Sequence, residues 1–313
     1  MTEEEHWALW RADPRATPFQ SPGWIEAWWA HLGGGERRDV VVREGGRIVA
    51  ALPCFVWVDG PVRRLVPAAA GISDYADLLA DPVAPDALAA LWQTITAAEG
   101  WDEVLLPDLR PDSPTLGALP PGLVAEDAPM EICPVLTIPA DGQVLAGLSK
   151  SRRRKIVHDR NRAEALGGVT VDFAAGAEVE EAMDALFALH AARWRAAGEE
   201  GVLADPRVQA FHRAAARALD AQGLLRLAVV RHDGRIVAVL HGFADAYRGY
   251  SYINGVDMSV PGQSFGTLAF AAAIERAAAE GAREFHFLRG EEPYKFGWGA
   301  EPRGTVRRVV RRA

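Results

Sequence analysis

This sequence has few cysteines, and it lacks the cysteine spacings that are typical of disulfide frameworks and zinc sites. Cys54 and Cys133 are the two cysteines of the chain, too few for a disulfide framework. Neither belongs to a CxxC motif or to a histidine-rich spacing of the kind that holds zinc. We therefore expect reduced thiols and no bound metal.

Long apolar runs are absent as well. Residues 1–6 lack the basic and apolar regions of a signal peptide, and no apolar run approaches the length that spans a bilayer. We expect a cytoplasmic protein that is neither secreted nor inserted in a membrane. The formal net charge of −8 further argues against bulk affinity for nucleic acids, although it does not exclude a local basic patch.

The composition is that of an ordinary globular protein. Hydrophobic residues account for 49% of the chain and charged residues for 24%, which is the balance of neither a disordered chain nor a membrane protein. Since 313 residues exceed the usual size of one domain, we expect two.

A segment of the N-terminal half recurs in the C-terminal half. Residues 41–55 match residues 229–243 without a gap, and in each copy two apolar, β-branched runs flank a Gly-Gly or Asp-Gly pair. Such pairs tolerate the positive φ angles of a type I′ turn, so each copy is predicted to be a β-hairpin. Further on, Gly100 and Gly281 each end a predicted helix before an apolar strand. We infer an ancestral duplication, the alternative being that two common hairpins converged.

Prolines concentrated in residues 107–142 exclude a long helix there and mark the boundary between the halves. We place the boundary near Pro139, which gives an N-terminal domain of residues 1–139 and a C-terminal domain of residues 140–313. The C-terminal half then alternates segments of helical periodicity with hairpin strands. This order predicts an α/β sandwich.

Several motifs, spread over nearly the whole chain, resemble those of one superfamily. They are residues 19–24 with Trp28 and Trp29, Ser73-Asp74-Tyr75, Leu148-Ser149-Lys150 followed by arginines, residues 189–194, and, most specific, residues 287–299. By these motifs the chain resembles the FemAB-like branch of the GNAT (Gcn5-related N-acetyltransferase) superfamily, and within it the CelD/BcsL-type acyltransferases. The resemblance implies two tandem GNAT-like α/β domains related by duplication.

The same resemblance implies a reaction class. Members of the superfamily move an acyl group from coenzyme A to an amine, and the Fem peptidyltransferases move an aminoacyl group from tRNA instead. Acetyl-CoA or another acyl-CoA is therefore the expected co-substrate. The chemistry is expected in the C-terminal domain, because the N-terminal copy has no Q-x-x-G sequence before its helix and is similar to a degenerate GNAT domain without cofactor.

A glycine-rich loop between a predicted strand and a predicted helix is the candidate cofactor site. Backbone N–H groups at the start of a helix bind pyrophosphate well, and this loop resembles the GNAT phosphate loop with its Q-x-x-G core. Leu268 replaces the next small residue of the family pattern, and the alternative is a plain connection between strand and helix. The cofactor-binding candidates are Gly262, Gln263, Ser264, Phe265, Gly266 and Thr267.

Acyl transfer to an amine also needs a proton donor for the departing thiolate and a base for the amine. Tyr294 is the predicted acid, because it follows the last strand and a phenol donates a proton while neutral; the alternative is a packing role. His286 is the preferred base, with Glu291 and Glu292 as alternatives. His241, in an apolar strand, is interpreted as a buried core residue.

The acceptor pocket is predicted from polar residues on either half of the chain. His190 and Arg193 share a helix face beside Trp194, which fits either a pocket or helix packing. Lys295 is a candidate for a phosphate or an acceptor carboxylate. The acceptor-binding candidates are His190, Arg193, Trp194, Asp74, Tyr75 and Lys295.

Basic residues cluster in two places in this acidic chain. Residues 150–162 carry seven lysines and arginines, which form either a solvated helix face or a surface for phosphates of coenzyme A, an anionic glycan precursor or tRNA. The arginines of residues 307–312 alternate as in an edge strand, where charge discourages edge pairing.

Three functions compete. The first is an acyl-CoA-dependent N-acyltransferase whose acceptor is an amine-bearing small molecule or a precursor of a cell-surface glycan. The second is an aminoacyl-tRNA-dependent transferase of the Fem type, and the third is a non-catalytic binding module associated with polysaccharide synthesis. The acyl group, the acceptor and the oligomeric state stay open at this point.

Overall fold

The computed structural model of the protein describes residues 1–260 and 264–313. The chain divides into two compact units, each with its own core. Unit 1 consists of Met1–Ile132 and Arg303–Ala313, and unit 2 consists of Cys133–Pro302. Among the described residues, no helix combines the length and apolar character required to cross a bilayer.

Unit 1 mixes helices with strands. Thr2 starts its first helix with a capping box, in which its side chain accepts from the backbone N–H of Glu5 while the Glu5 carboxylate accepts from the N–H of Thr2. The elements are α1 (Glu3–Ala12), α2 (Pro22–His31), β1 (Glu36–Arg37), β2 (Val40–Glu44), β3 (Arg47–Leu52), β4 (Cys54–Asp59), β5 (Val62–Pro67), β6 (Leu79–Ala80), α3 (Ala87–Ala97), β7 (Glu103–Leu109) and β8 (Leu123–Thr137).

Unit 2 follows with most of the helical residues. Asp205 and Pro206 start one of its helices as expected, because the Asp205 side chain caps the first turn and proline fits the first helical position. The elements are α4 (Val144–Gly147), α5 (Lys150–Leu166), β9 (Val169–Ala174), α6 (Glu178–Ala196), α7 (Pro206–Asp220), β10 (Leu225–His232), β11 (Arg235–Ala244), β12 (Arg248–Val256), α8 (Phe265–Ala279), β13 (Glu284–His286) and α9 (Pro293–Phe296). The chain then returns to unit 1 with β14 (Glu301–Arg312).

Each unit is built on a twisted mixed sheet. In unit 1 the strand order is β1-β4-β5-β7-β14-β8, and a second, three-stranded sheet has the order β2-β3-β6. In unit 2 the order runs from the end of β8 through β13, β12, β11 and β10 to β9. The pairs β5–β7 and β12–β13 are parallel, as expected for strands separated by a helix, and the hairpin neighbours are antiparallel.

Both predicted hairpins are confirmed. The turn between β2 and β3 has φ angles of 55° at Gly45 and 85° at Gly46, and that between β10 and β11 has 50° at Asp233 and 79° at Gly234. Two consecutive positive φ angles are the mark of a type I′ turn, which is why these dipeptides occur there. The two copies differ in their surroundings, since β2 and β3 pair with β6 in the small sheet whereas β10 and β11 lie in the main sheet of unit 2.

The arginine-rich C-terminal strand is not an edge strand, and that prediction is wrong. β14 lies between β7 and β8, and its Arg308 is only 5% exposed. The Arg308 guanidinium donates to Asp127 at 2.7 Å and to the carbonyl of Thr115 at 2.6 Å. The guanidinium therefore pairs with a partly exposed carboxylate and satisfies the carbonyl of buried Thr115 inside unit 1.

The division between the units differs from the boundary expected near Pro139. β8 starts in unit 1 and its last residues pair with β13 in unit 2, so the contacts divide after Ile132. Residues 303–313 return to unit 1, because β14 pairs with β7 from Val306 to Val310. This pairing joins residues about 200 positions apart, and no local sequence signal marks it.

The core of unit 2 positions the helices that surround the site. Aromatic side chains of α8 and of the segment after β13 pack together, with the rings of Phe270 and Phe287 5.8 Å apart. On β12, Gly255 permits a close approach of α6, since a Cβ there would lie 2.9 Å from the Cβ of Leu189 and 3.2 Å from the backbone nitrogen of His190. His190 is thereby held directly against the sheet.

His241 is buried in β11, as predicted. It is fully inaccessible to solvent, and neither ring nitrogen has a hydrogen-bond partner among the described residues. The rings of Phe243, His212 and Tyr252 surround it at 4.9, 5.8 and 6.0 Å. Burial lowers the pKa of His241 to about 3 from its usual value near 6.5, so the imidazole is neutral in the folded protein.

We predict that His241 makes unit 2 less stable in acid. The unfolded chain binds a proton at His241 below about pH 6.5, whereas the folded chain does so only near pH 3, so stability present above pH 6.5 is lost as the pH falls. At pH 5 the cost is about 2 kcal/mol. Urea unfolding at pH 7.5 and pH 5 measures it, and H241F should reduce the pH difference by that amount. H158Q changes an exposed histidine and should leave the difference in stability between the two pH values as it is in the native chain. An equal pH difference in H241F would contradict the prediction.

Candidate active site

The two parallel strands at the centre of unit 2 separate after three residue pairs. β12 and β13 pair from Arg248 with Glu284 to Tyr250 with His286, where β13 ends, while β12 continues to Val256. Leu288 then takes a left-handed conformation with φ of 59°, which turns the chain away from β12. The second half of β12 is left without the parallel partner that its first half has.

A cavity of about 270 Å³ opens where the strands separate. One wall is β12, from Ser251 to Asn254, and the apolar side consists of Phe270 and Phe287. Polar side chains of α6 and of residues 289–295 complete the lining. A partly apolar cavity with a few convergent polar groups is the usual form of a small-molecule site.

The N-terminus of α8 follows β12 closely in the chain. The carbonyl of Ser264 accepts from the N–H of Thr267 at 2.9 Å, and the Lys155 ammonium lies 3.4 Å from the Ser264 hydroxyl. At Gly266 a Cβ would lie 3.1 Å from a methyl group of Val256, so glycine keeps α8 close to β12. Four of the predicted cofactor-binding residues thus lie at the start of a helix, although the Phe265 side chain is buried; Gly262 and Gln263 lie outside the described residues.

Tyr294 lies in α9 at the mouth of the cavity. Its side chain is 39% exposed, and its ring is 5.4 Å from that of Phe270. Desolvation raises the pKa of Tyr294 to about 12, the charge of Glu292 adds to this increase, and the charge of Arg193 opposes it. The phenol therefore keeps its proton at neutral pH, as a proton donor must.

Lys295 is buried, and its ammonium binds the backbone of the loop that precedes it. Its ammonium donates to the carbonyls of Leu288 and Gly290, both at 3.2 Å, and to that of Arg289. It also forms an ion pair of 2.9 Å with Glu292, and the residue is only 3% exposed. An ammonium has three N–H donors, so the contact predicted between Lys295 and a substrate anion would compete with these bonds.

His190 and Trp194 form a hydrogen-bonded pair on α6. The Trp194 indole N–H donates to Nε2 of His190 at 2.9 Å, which places the proton of a neutral imidazole on Nδ1. That nitrogen is buried without a partner among the described residues. Burial lowers the pKa of His190, and the charge of Arg193 lowers it further. Gly201, at φ of 77°, packs against both rings, where a Cβ would lie 2.5 Å from the indole.

The remaining predicted residues lie away from the cavity. His286 is buried, 3.0 Å from the Glu284 carboxylate, with its ring 5.2 Å from that of Tyr250. Glu291 is exposed on the loop. Neither lines the cavity.

The predicted acceptor residues of the N-terminal half are interior residues of unit 1. Asp74 and Tyr75 are each 3% exposed, and Tyr75 has a positive φ of 56°. The Tyr75 carbonyl accepts from the Gln20 side chain. A contact of these side chains with an acceptor stays a prediction.

The structure adds lining residues that sequence reasoning missed. Tyr252 and Asn254 contribute from β12, and Arg289 contributes from the loop after β13. The register of β12 shifts beside Tyr252, so the alternation of faces along a regular strand does not predict that Tyr252 and Asn254 both line the cavity.

The basic cluster of α5 serves more than one purpose. Arg152 stacks on buried Trp298 at 4.0 Å, and Arg160 pairs with Glu275 of α8 at 2.6 Å, so both stabilise helix packing. Lys150, Arg153 and Arg154 are exposed and line a surface groove. Within the described residues, no group of three or more histidine, cysteine or acidic side chains is placed to hold a metal ion.

Comparison with known proteins identifies the fold. The sequence model of the acetyltransferase (GNAT) domain family matches residues 150–296, which contain the whole cavity. No curated protein sequence matches the chain.

Three solved structures illustrate the likeness in fold. FemX is 14% identical with a TM-score of 0.70, over 98% of this chain and 96% of that one. A conserved protein of unknown function from Bacteroides thetaiotaomicron VPI-5482 is 14% identical with a TM-score of 0.64, over 100% and 98%. The C-terminal domain (DUF2156) of a putative lysylphosphatidylglycerol synthetase from Agrobacterium fabrum is 13% identical with a TM-score of 0.60, over 98% and 91%.

Proposed function

We propose that this N-acyltransferase, a tandem GNAT chain of the Fem-like type, takes an acyl group from acyl-CoA and passes it to an amine in the cavity of unit 2. The observation that carries the proposal is the separation of β12 from β13, which opens a cavity along the second half of β12. The last residue of β12, Val256, packs against Gly266 at the start of α8, and a helix start can bind pyrophosphate.

Coenzyme A would be held by the backbone more than by side chains. The first N–H groups of α8, at Phe265 and Gly266, have no carbonyl within the helix to bind, and the helix dipole favours an anion there. Lys155 adds a positive charge next to Ser264. The unpaired edge of β12 offers backbone donors and acceptors to the amide groups of the cofactor arm, as a sheet edge does to an added strand. We propose acetyl-CoA as the acyl donor.

The side chains at the cavity fit direct transfer. The amine nitrogen bonds to the thioester carbonyl carbon, the carbon–sulfur bond breaks, and the thiolate leaves with a proton from Tyr294. The amine loses one proton, for which His286, Glu291 and Glu292 are the candidate bases. Glu292 lines the cavity, whereas His286 and Glu291 do not and would act through water.

The acceptor is an amine-bearing small molecule or glycan precursor in the cytoplasm. His190, Arg193 and Trp194 contact it directly in this proposal, because they line one side of the cavity. Lys295 shapes the opposite side through the loop that it holds. Asp74 and Tyr75 are kept as candidates on unit 1.

A transfer from aminoacyl-tRNA is the second candidate. It is favoured by the likeness in fold to FemX and by the exposed groove at Lys150, Arg153 and Arg154. Against it, residues 150–162 contain no phenylalanine, tyrosine or tryptophan on which a base could stack, and His158 is the one ring in the segment. We therefore expect no specific tRNA affinity.

A charge placed at the start of α8 tests the donor. In T267E the new carboxylate lies at the third helical position, where it favours the helix dipole and the melting temperature (Tm), but it repels pyrophosphate. We expect acetyl-CoA affinity to fall by at least about tenfold with Tm unchanged or raised. Isothermal titration on the full chain measures affinity, and T267Q is the neutral control of equal size.

The results separate the three functions. Equal acetyl-CoA affinity in T267E and T267Q would remove α8 from the donor site. No binding of any CoA thioester, together with filter binding of tRNA that weakens on charge reversal at Arg153 and Arg154, would favour the Fem-type reaction. Absence of both would favour a non-catalytic binding module.

A further inference from the structure

Arg193 is an unpaired cation at the cavity. It belongs to α6 and is exposed, and its guanidinium has no hydrogen-bond or ion-pair partner among the described residues. Its charge lowers the pKa of His190 and opposes the increase in that of Tyr294, so the field of the guanidinium extends over both side chains. Arg193 therefore faces the volume in which a substrate would lie.

Cations outnumber carboxylates in the cavity lining although the chain is acidic. Arg193, Arg289 and Lys295 line it together with one carboxylate, Glu292. That carboxylate is paired with Lys295 at 2.9 Å. The guanidinium of Arg193 is therefore a local positive charge in a chain whose net charge is −8.

The uncharged lining also fits a polar ligand. Ser251 and Asn254 of β12 contribute a hydroxyl and an amide to the cavity lining. The volume of about 270 Å³ equals that of roughly nine water molecules in the liquid, enough for the reacting end of a small molecule. A guanidinium binds carboxylate and phosphate oxygens in pairs, which a neutral acceptor would not use.

We propose that the acceptor amine carries an anionic oxygen group, a carboxylate or a phosphate, and that Arg193 binds this group so as to direct the amine to the thioester. The inference rests on the proposed function and names its substrate class. In this role Arg193 determines which amines bind, because it contacts the acceptor before the chemical step begins. An alternative role, in which Arg193 stabilises the leaving thiolate, would act on every amine alike.

Matched pairs of amines distinguish these roles. L-alanine is compared with L-alaninamide, and glucosamine 6-phosphate with glucosamine, on the full chain saturated with coenzyme A. Binding is measured by ligand-observed NMR, and acetyl transfer by thiol release from acetyl-CoA. In at least one pair we expect the anionic member to bind roughly tenfold or more tightly, which also tells carboxylate from phosphate. R193Q should abolish this preference, and R193K should keep part of it.

The control is R195Q, which removes an exposed arginine of the same helix that does not line the cavity. It should bind both members of each pair as the native chain does. Equal affinity within both pairs, a preference that survives in R193Q, or no binding of either anionic probe would overturn the inference. Binding of coenzyme A, recorded in the same samples, reports separately on the proposed function. An equal fall in kcat for charged and neutral amines in R193Q would assign Arg193 to the leaving group instead.

Discussion

Replacing Tyr294 by phenylalanine is expected to lower kcat by roughly two to four orders of magnitude, with acetyl-CoA affinity and Tm nearly unchanged. The substitution keeps the ring against Phe270 and removes only the hydroxyl that would protonate the thiolate. Because the pKa of Tyr294 is raised to about 12, the phenol is protonated below that pH. The rate of the native chain should therefore show no loss from Tyr294 ionisation between pH 6 and about 10.

Y247F is the matched control for this experiment. Tyr247 is 40% exposed, against 39% for Tyr294, and does not line the cavity. Its hydroxyl should be dispensable. Turnover near the native value in Y294F, with a substrate whose chemical step limits the rate, would leave Tyr294 as a packing residue. In that case Y294A, which removes the ring, should lower Tm strongly.

Replacing Lys295 by methionine is expected to destabilise unit 2 and the cavity together. Methionine keeps much of the volume but leaves the carbonyls of Leu288, Arg289 and Gly290 and the carboxylate of Glu292 without their shared cation. The Glu292 carboxylate is more than half exposed and water can solvate it, so the cost comes from the buried and half-buried carbonyls, about 2–4 kcal/mol in total or roughly 5–10 °C in Tm. Turnover should fall by about a hundredfold, because the loop carries Glu292 and leads directly to Tyr294.

K150M makes the same chemical change at an exposed lysine of the same unit. It should leave both Tm and turnover as they are. Thermal unfolding followed by circular dichroism, together with thiol release from acetyl-CoA, gives the two readouts. A K295M protein with native Tm would show that the loop does not depend on the ammonium.

The elements of unit 2 that sequence reasoning predicted have local causes. The I′ turn of β10 and β11 depends on Asp233 and Gly234, and α7 begins where Asp205 caps it. Gly281 follows the end of α8 with φ of 86°, as a helix-ending glycine should. Each of these features is decided by neighbours within a few positions, so the sequence alone predicts them.

The features that sequence reasoning missed depend on distant pairing. The position of β14 between β7 and β8, and the burial of Arg308, follow from contacts with residues far earlier in the chain. An alternating arginine strand has the same local pattern at an edge and at the centre of a sheet. Only the presence of Asp127 and the carbonyls near Thr115 decides between them.

The candidate site was predictable in part for the same reason. The helix start at Ser264 and the helix face of His190, Arg193 and Trp194 have local patterns, and the structure places all of them in unit 2. That Lys295 holds its own loop depends on how the segment after β13 folds back, and spacing along the chain does not predict these bonds. The contact of His286 with Glu284 is local, because residues two positions apart in a strand share one face.

The position of β14 affects the order in which the two units can fold while the chain is being synthesised. A ribosome completes residues 133–302 before it reaches the strand that separates β7 from β8. Until then β7 and β8 both have an unpaired edge, while the strands and helices of unit 2 have all been synthesised. Unit 1 cannot complete its sheet until β14 has been synthesised. Unit 2, which contains the cavity, can therefore be the first to finish folding.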